Sequence, residues 1–367
     1  MKNNRTFLEK LLDGAEVKWK PLGKVTDIKT GQSVSKNIIA QNPGIYPVIN
    51  SGRDPLGFIN VWNTENDPIG ITTRGAGVGS ITWQEGKYFR GNLNYSVTIK
   101  SEYELNVRFL YHVLLHFQKE IHNLCSFTGI PALNASELKK LEIPIPPLPI
   151  QTNIVKILDA LTALTSELTS ELILRRKQYE YYREKLLSFD SLERLNEGGG
   201  KKKLIDVVKI KNGKDWKHLG EGDIPIYGSG GIMGYVDTYS YDKPTVLIPR
   251  KGSITNIFYL EEPFWNVDTI YYTEINTTQI LPKYFFHFMK TVDLAKLDTG
   301  SGRPSLTQAI LNEIPIFVPS IEEQQRIVSI LDKFETLTNS ITEGLPLAIE
   351  QNQKRYEYYR ELLLNFS

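Results

Sequence analysis

From Ile154 onward the chain keeps a strict alternation of four- and three-residue steps through Leu158, Leu161, Thr165, Leu168, Leu172, Arg175, Tyr179, Tyr182, Leu186 and Phe189. A mainly apolar repeat of this kind, sustained over about five heptads, is the seam of a coiled coil. A helix over 151–189 would be about 58 Å long at 1.5 Å per residue, more than a small core needs. A second seam runs through Ile327, Leu331, Phe334, Thr338, Ile341, Leu345, Ala348, Asn352, Tyr356, Tyr359, Leu363 and Phe366. It holds one extra step of four, because the two seams are offset by 173 at Asp159/Asp332 and by 177 at Tyr179/Tyr356. Four added residues form a stutter, and with EGLP at 343–346 the pattern predicts a kink or break near Pro346. Ser320-x-x-Glu323 has the form of a capping box opening this second helix.

Ahead of each seam the period changes. Short runs of Ile, Val, Tyr, Trp and Phe, broken by Gly, Pro, Asn and Asp as in PVINSGRDPLGF and IGITTRGAGVGSITW, predict β-rich blocks. Each block also holds a helical stretch, around 107–124 and 281–295. The two blocks are copies of one plan. PLGKVTDIKTGQ (21–32) matches KLIDVVKIKNGK (203–214), keeping Gly31/Gly213, and IYPVINSG (45–52) answers DIPIYGSG (223–230). TRGAGVGSI (73–81) resembles PRKGSIT (249–255), aligned on Arg74 and Arg250, and FTGIPALN (127–134) resembles GSGRPSLT (300–307). RRKQYEYYREKLLSF (175–189) recurs as NQKRYEYYRELLLNF (352–366). The expected organisation is a β-rich block over 1–150, a helix over 151–190, a polar glycine-rich linker over 191–203, a second block over 204–319 and a second helix over 320–367. The fold class predicted is α+β: two pseudo-two-fold-related α/β domains separated by two long antiparallel coiled-coil helices.

Composition narrows the class. No apolar run approaches the ~18 residues of a membrane span, and the charged, amphipathic N-terminus is not a signal peptide, so a cytoplasmic protein that meets no membrane is expected. A single cysteine, Cys125, excludes an internal disulfide framework and a multi-cysteine metal site. The net charge of +1 hides a partition. Residues 1–150 carry 17 Lys+Arg against 13 Asp+Glu and 201–318 carry 14 against 13, while 151–200 carry 7 against 8 and 319–367 carry 5 against 8. Local basic faces fit this balance; a blanket nucleic-acid binder does not.

Catalytic signatures fail one by one. Gly75-Ala-Gly77-Val-Gly79-Ser80 lacks the sixth-position glycine and runs into a strand, so it is a turn and not a dinucleotide loop. His112 and His116 have the i,i+4 spacing of metal ligands, but without a following glutamate they read, with His122, as histidines of an amphipathic helix. Glu85-x-Lys87 is the short tail of a nuclease motif and is expected by chance. No catalytic, cofactor-binding or metal-ligating residue is assigned.

The double plan resembles the specificity subunits of type I restriction–modification systems, over essentially the whole chain. The stretches that carry the resemblance are LLDGAEVKWKPLGKV (11–25), YGSGGIMGYVD (227–237), VLIPRKGSITNIFYLEEPFWNVDTIYY (246–272) and above all GSGRPSLTQAILNEIPIFVPSIEEQQRIVSILDKF (300–334). One departure is the start of the first helix, where Pro149–Asn153 keeps only the glutamine of Glu322–Arg326. The resemblance implies a non-catalytic subunit whose two target-recognition domains each read half of a split, asymmetric site on double-stranded DNA. The helix pair would set the spacer and dock two adenine methyltransferase subunits, with restriction/translocase subunits joining. S-adenosylmethionine, ATP and Mg²⁺ would belong to those partners. The alternative is a coiled-coil scaffold without DNA readout of its own.

Base readout favours Arg, Lys, Asn, Ser and Thr on loops. The candidates are Ser51, Arg53, Arg74, Arg90, Asn92, Asn94 and Tyr95 in the first block, and Lys214, Lys217, Ser229, Arg250, Lys251, Thr255 and Asn256 in the second. Arg74 and Arg250, as equivalents, are either DNA contacts or members of a structural ion pair. The glycine/proline loops 128–134 and 302–307 read first as hinges. Tyr181, Tyr182, Arg183, Tyr358, Tyr359 and Arg360 are the partner-binding candidates. Tyr182 and Tyr359 fit the seams, whereas Tyr181 and Tyr358 point elsewhere, to a protein interface or as wedges against their own domain.

Overall fold

The structure, a computed structural model, describes residues 7–52, 54–194, 199–300 and 302–366. Arg53 and part of the expected linker lie outside the described residues. The chain forms two compact units. One runs to Glu167 and takes in the C-terminal segment from Ile349; the other is Leu168–Ala348.

In the first unit Thr26–Thr30, Asn94–Ile99, Ile69–Thr72 and Ile81–Trp83 form a four-stranded antiparallel sheet in that order. Phe58–Ile59, Pro43–Ile49 and Phe89–Arg90 form a three-stranded one, its last pair parallel. The second unit repeats both sheets order for order. Its four strands are Val208–Lys211, Ile270–Ile275, Thr245–Pro249 and Phe258–Leu260, and its three are Gly231–Val236, Ile224–Gly228 and Trp265–Asn266. An antiparallel pair accompanies each, Lys18–Pro21 with Glu142–Ile145 and Gly200–Lys203 with Pro315–Val318. Ile69–Thr72 and Thr245–Pro249 are buried at every position, which explains their unalternating composition.

Packed on each sheet is one short apolar helix, Val107–His116 in the first unit and Pro282–Met289 in the second. Asn106 caps the former, its side chain accepting from the N–H groups of Arg108 and Phe109; Pro282 opens the latter. The longer helices expected here are interrupted, at Phe117 before Gln118–Asn123 resumes and after Met289 before a 3₁₀ turn at Leu294–Leu297.

The first long helix is unbroken over Leu148–Leu187. Pro149 lies in its first turn, where an N–H has no intrahelical partner to lose. The one glutamine retained between the copies is a clamp. Gln151, fully buried, accepts from Asn106 N (2.8 Å) and donates to the carbonyls of Glu104 and Pro146. Gln324 does the same with Leu281 N (2.8 Å), Gln279 O and Pro319 O. Each thus ties a helix start to the loop before the short apolar helix.

The second seam is broken as its stutter predicts. Ile321–Asn339 ends, Ser340–Glu343 form a loop, and Gly344–Leu364 resumes with Pro346 in its first turn. Ser340 Oγ accepts from the N–H groups of Thr342 and Glu343. Gly344 has φ +82° and lies against the carbonyls of Thr336 and Leu337, where a Cβ would collide at 2.6 and 2.8 Å. The four extra residues are therefore taken up outside the helix, and exposed Ile341 falls in that loop, not in the seam. Only half of the capping box forms: Ser320 Oγ accepts from Glu323 N, while the Glu323 carboxylate accepts from Arg326.

Both helix pairings are antiparallel. In the first unit Asn352 meets Leu161 and Thr165, while Ile154 and Leu158 share a core with Leu363 and Leu364. In the second, Arg176 meets Thr338 while Tyr179 and Tyr182 lie against Phe334. Among the described residues no helix is long and apolar enough to cross a membrane.

Candidate nucleic-acid interface

In each unit three loops come together, two of them joined by backbone hydrogen bonds. In the first, Gly75 N donates to Pro131 O (2.9 Å), Leu133 N donates to Thr73 O (2.8 Å), and Arg74 bridges Ala132. The Ser51 carbonyl closes the group, so near Gly77 that a Cβ there would sit 3.0 Å away. In the second, Gly252 N donates to Pro304 O (3.0 Å), Leu306 N to Arg250 O (2.8 Å), and Lys251 bridges Ser305. Asn256 Nδ2 donates to Ser229 O (3.0 Å). Gly75 and Gly252 occupy the left-handed region, φ +92° and +85°, which a residue with a Cβ adopts only at a cost.

This register corrects the expected pairing of Arg74 with Arg250. The hydrogen bonds place Gly75 opposite Gly252, so Arg74 corresponds to Lys251 and Arg250 to buried Thr73. Arg250 is half-buried, donating to Asp268 O (3.3 Å) and lying over the Tyr271 ring. Arg74 is exposed.

Three further candidates turn inward. Arg90 is 3% exposed and Asn94 fully buried. The guanidinium donates to Asn94 Oδ1 (2.6 Å), to the carbonyls of Tyr95 and Asp67 and to the Tyr88 hydroxyl. Burial holds Arg90 below its usual range and pushes Tyr88 up, despite their mutual contact. Arg90 and Asn94 are thus interior partners, with no face left for a base. Tyr95 is an anchor: its hydroxyl donates to Leu133 O (3.2 Å), as that of Tyr271, which sequence reasoning missed, does to Leu306 O (3.2 Å).

Ser51, Asn92 and Thr255 are exposed, while Ser229, Lys251 and Asn256 are half-buried at the cluster. Lys214 and Lys217 are exposed on the segment before Ile224, where Lys214 O accepts from Trp265 Nε1. The loops read as hinges carry exposed tips. Ile130 is 69% exposed, and at the equivalent place the second unit presents exposed Arg303, its guanidinium near Gly252. Reading 302–307 as a backbone hinge hid Arg303; its position one residue before the shared proline was the available signal.

The YEYYRE repeats have a common environment. In the first unit His112, fully buried, shares Nδ1 with the Tyr356 hydroxyl (3.2 Å) and Nε2 with Asp159 Oδ1 (2.8 Å), which also accepts from Arg108. In the second, His287 shares Nδ1 with Tyr179 OH (3.4 Å) and Nε2 with Asp332 Oδ1 (2.8 Å), whose other oxygen accepts from Lys283. Each histidine is therefore held by an aspartate from its own copy's helix and a tyrosine from the other copy's repeat. Asp332, engaged by His287 and Lys283, lies beside Glu335. Tyr181 and Tyr358 are exposed; Tyr182, assigned to the seam, is 40% exposed and stacks on Phe334, with ring centroids 5.7 Å apart. Arg183 lies over buried Tyr179 and Arg360 over half-buried Tyr356.

Burial holds the His112 imidazole below its usual range, outweighing Asp159, and does the same to His116, which faces Glu361. Unfolding frees both to titrate near ~6.5, so below that pH the unfolded state binds more protons. The stability this contributes is present above about pH 6.5 and is lost as pH falls toward the folded values. Urea titrations at about pH 7.5 and 5.5 should show the first unit losing stability at the lower pH, with a shallower dependence in His112→Gln.

A profile described as the type I restriction modification DNA specificity domain matches residues 15–175 and again 196–351, one match per copy. The chain is 33% identical to the specificity subunit of the Escherichia coli type I restriction enzyme EcoR124I/EcoR124II, over 98% of this chain and 97% of that one. It is 43% identical, over all of both chains, to a Haemophilus influenzae sequence provisionally given the same description. A crystal structure of the S subunit of the type I system of M. genitalium superposes over 97% of this chain and 98% of that one, with TM-score 0.66 and 24% identity. Two copies of a DNA specificity domain make this a DNA-specificity protein. This chain belongs to the type I restriction–modification specificity-subunit family.

Proposed function

We propose that each unit reads one half of a split, asymmetric DNA site through the major groove, and that the chain itself performs no catalysis. The observation that carries this reading is one three-loop cluster, built twice on the same backbone register but tipped with different side chains: Arg74 and Ile130 in one unit, Lys251 and Arg303 in the other. Equal scaffolds with unequal tips suit two unequal half-sites. The helix pair sets the spacer. One helical turn is about 6 Å, or about two base pairs of reach. The exposed Tyr181 and Tyr358, each paired edge-on with a second tyrosine, suit docking by two copies of one methyltransferase subunit. Restriction/translocase subunits join them, and S-adenosylmethionine, ATP and Mg²⁺ act on those partners.

The test is single-molecule sequencing of adenine methylation in cells co-expressing this chain with the methyltransferase subunit of its own system. A split, asymmetric motif that disappears without this chain is expected. An assembled complex with no motif and no salt-dependent DNA binding would leave the scaffold reading.

A further inference from the structure

The antiparallel helix pairings contain buried polar groups whose hydrogen bonds tie this register. In the first unit Asn352, 3% exposed, donates from Nδ2 to Leu161 O and to Thr165 Oγ1, both at 2.7 Å. One turn later Tyr356 reaches His112, which Asp159 holds from the opposite ring nitrogen. In the second unit Tyr179 reaches His287, held likewise by Asp332. Elsewhere the seams are largely leucine, threonine and aromatic, and a seam of leucines can slide by a turn and find leucines again. Among the described residues Asn352 Oδ1 has no hydrogen-bond partner in this register, but a slide would also unpair its amide donor and both histidines, and one buried asparagine at a seam position is enough to specify register.

We infer that Asn352, with the Tyr356–His112 and Tyr179–His287 pairs, determines how many unread base pairs separate the two half-sites. These are positioning residues: they contact no DNA and act by fixing which turn of one helix lies against which turn of the other. The tyrosines reach across copies, so neither unit completes its pair from its own repeat. This rests on the DNA-reading function proposed above and adds that spacer length is chosen by register as well as by helix length. The alternative register would differ by one turn, about 6 Å, and hence by about two base pairs.

The experiment uses the full chain assembled with its methyltransferase, comparing wild type, Asn352→Leu, and the triple variant Asn352→Leu, Tyr356→Phe, Tyr179→Phe. The readout is the spacer of every methylated site, with the half-site sequences as internal control. Wild type should give one spacer. The variants should keep both half-sites and raise methylation at spacers one to three base pairs away by about tenfold or more, the size of shift that one unpaired buried group imposes. Assembled variants that methylate at the original spacer alone would overturn the inference. Should the triple variant fail to assemble, Asn352→Leu decides by itself, because it replaces a polar seam residue with an apolar one of similar volume. A wild-type complex with no split motif would instead refute the DNA-reading function, so the two failures are distinguishable.

Discussion

Gly213→Ala is expected to destabilise the second unit by about 3 kcal/mol or more. A Cβ at this position would lie 2.0 Å from Val267 O and 2.6 Å from Asn266 O, both backbone atoms that cannot turn aside as a side chain would. The approach belongs to the architecture: Lys214 N donates to Asn266 O (2.9 Å), so the chain leaving Val208–Lys211 is hydrogen-bonded to the strand Trp265–Asn266. The first unit builds the same crossing. A Cβ on Gly31 would lie 2.3 Å from Arg90 O and Gly91 O, and Gln32 N donates to Arg90 O (2.9 Å). Urea unfolding with hydrogen exchange should show protection lost first in Val208–Lys211 and Trp265–Asn266. Gly230→Ala, where a Cβ meets nothing within 4 Å, should stay within about 0.5 kcal/mol of wild type. Equal effects at the two positions would refute the close-approach account.

Arg303→Ala is expected to relax discrimination at one base pair of one half-site by about 10- to 100-fold, leaving the other half-site unchanged. The side chain stands exposed at the tip of a loop held by Gly252 N on Pro304 O and by Asp298, whose Oδ1 accepts from the N–H groups of Gly300 and Ser305. An exposed guanidinium is suited to the two acceptors of guanine in the major groove, whereas Ile130, at the same place in the first unit, is suited to a thymine methyl. Lys251→Ala should act differently, weakening binding across all sequences and lowering the salt slope by about one. The measurement is the methylated motif of each variant complex together with its salt-dependent affinity. An unchanged motif in Arg303→Ala would remove that residue from readout.

Much of this protein was legible along the chain because it is local. The seam from Ile154, the copy-to-copy matches, the break before Pro346 and the start at Ser320 are matters of residue spacing and nearest-neighbour hydrogen bonding. Gly31 and Gly213 could be matched by eye, although the crossing that requires them could not be seen. The fold class followed from the same periodicities, since five heptads flanked by β-rich blocks leave few ways to bury their apolar faces.

Tertiary contacts decided the rest. Arg90 and Asn94 look like Arg53 or Asn92 in the sequence, yet Asp67, 23 residues before Arg90, and the Tyr88 hydroxyl draw the guanidinium inside. Matching arginine to arginine set Arg74 against Arg250, but the hydrogen bonds to Pro131 and Pro304 pass through the glycines and shift the register by one. His112 read as a histidine of an amphipathic helix and His287 was not singled out at all, and only folding brings each to a tyrosine more than a hundred positions away in the other copy's repeat. Periodicity along a chain determines which face of an element is buried. Which polar group meets which inside that face depends on partners distant in sequence, and one residue of register or one buried carboxylate decides it.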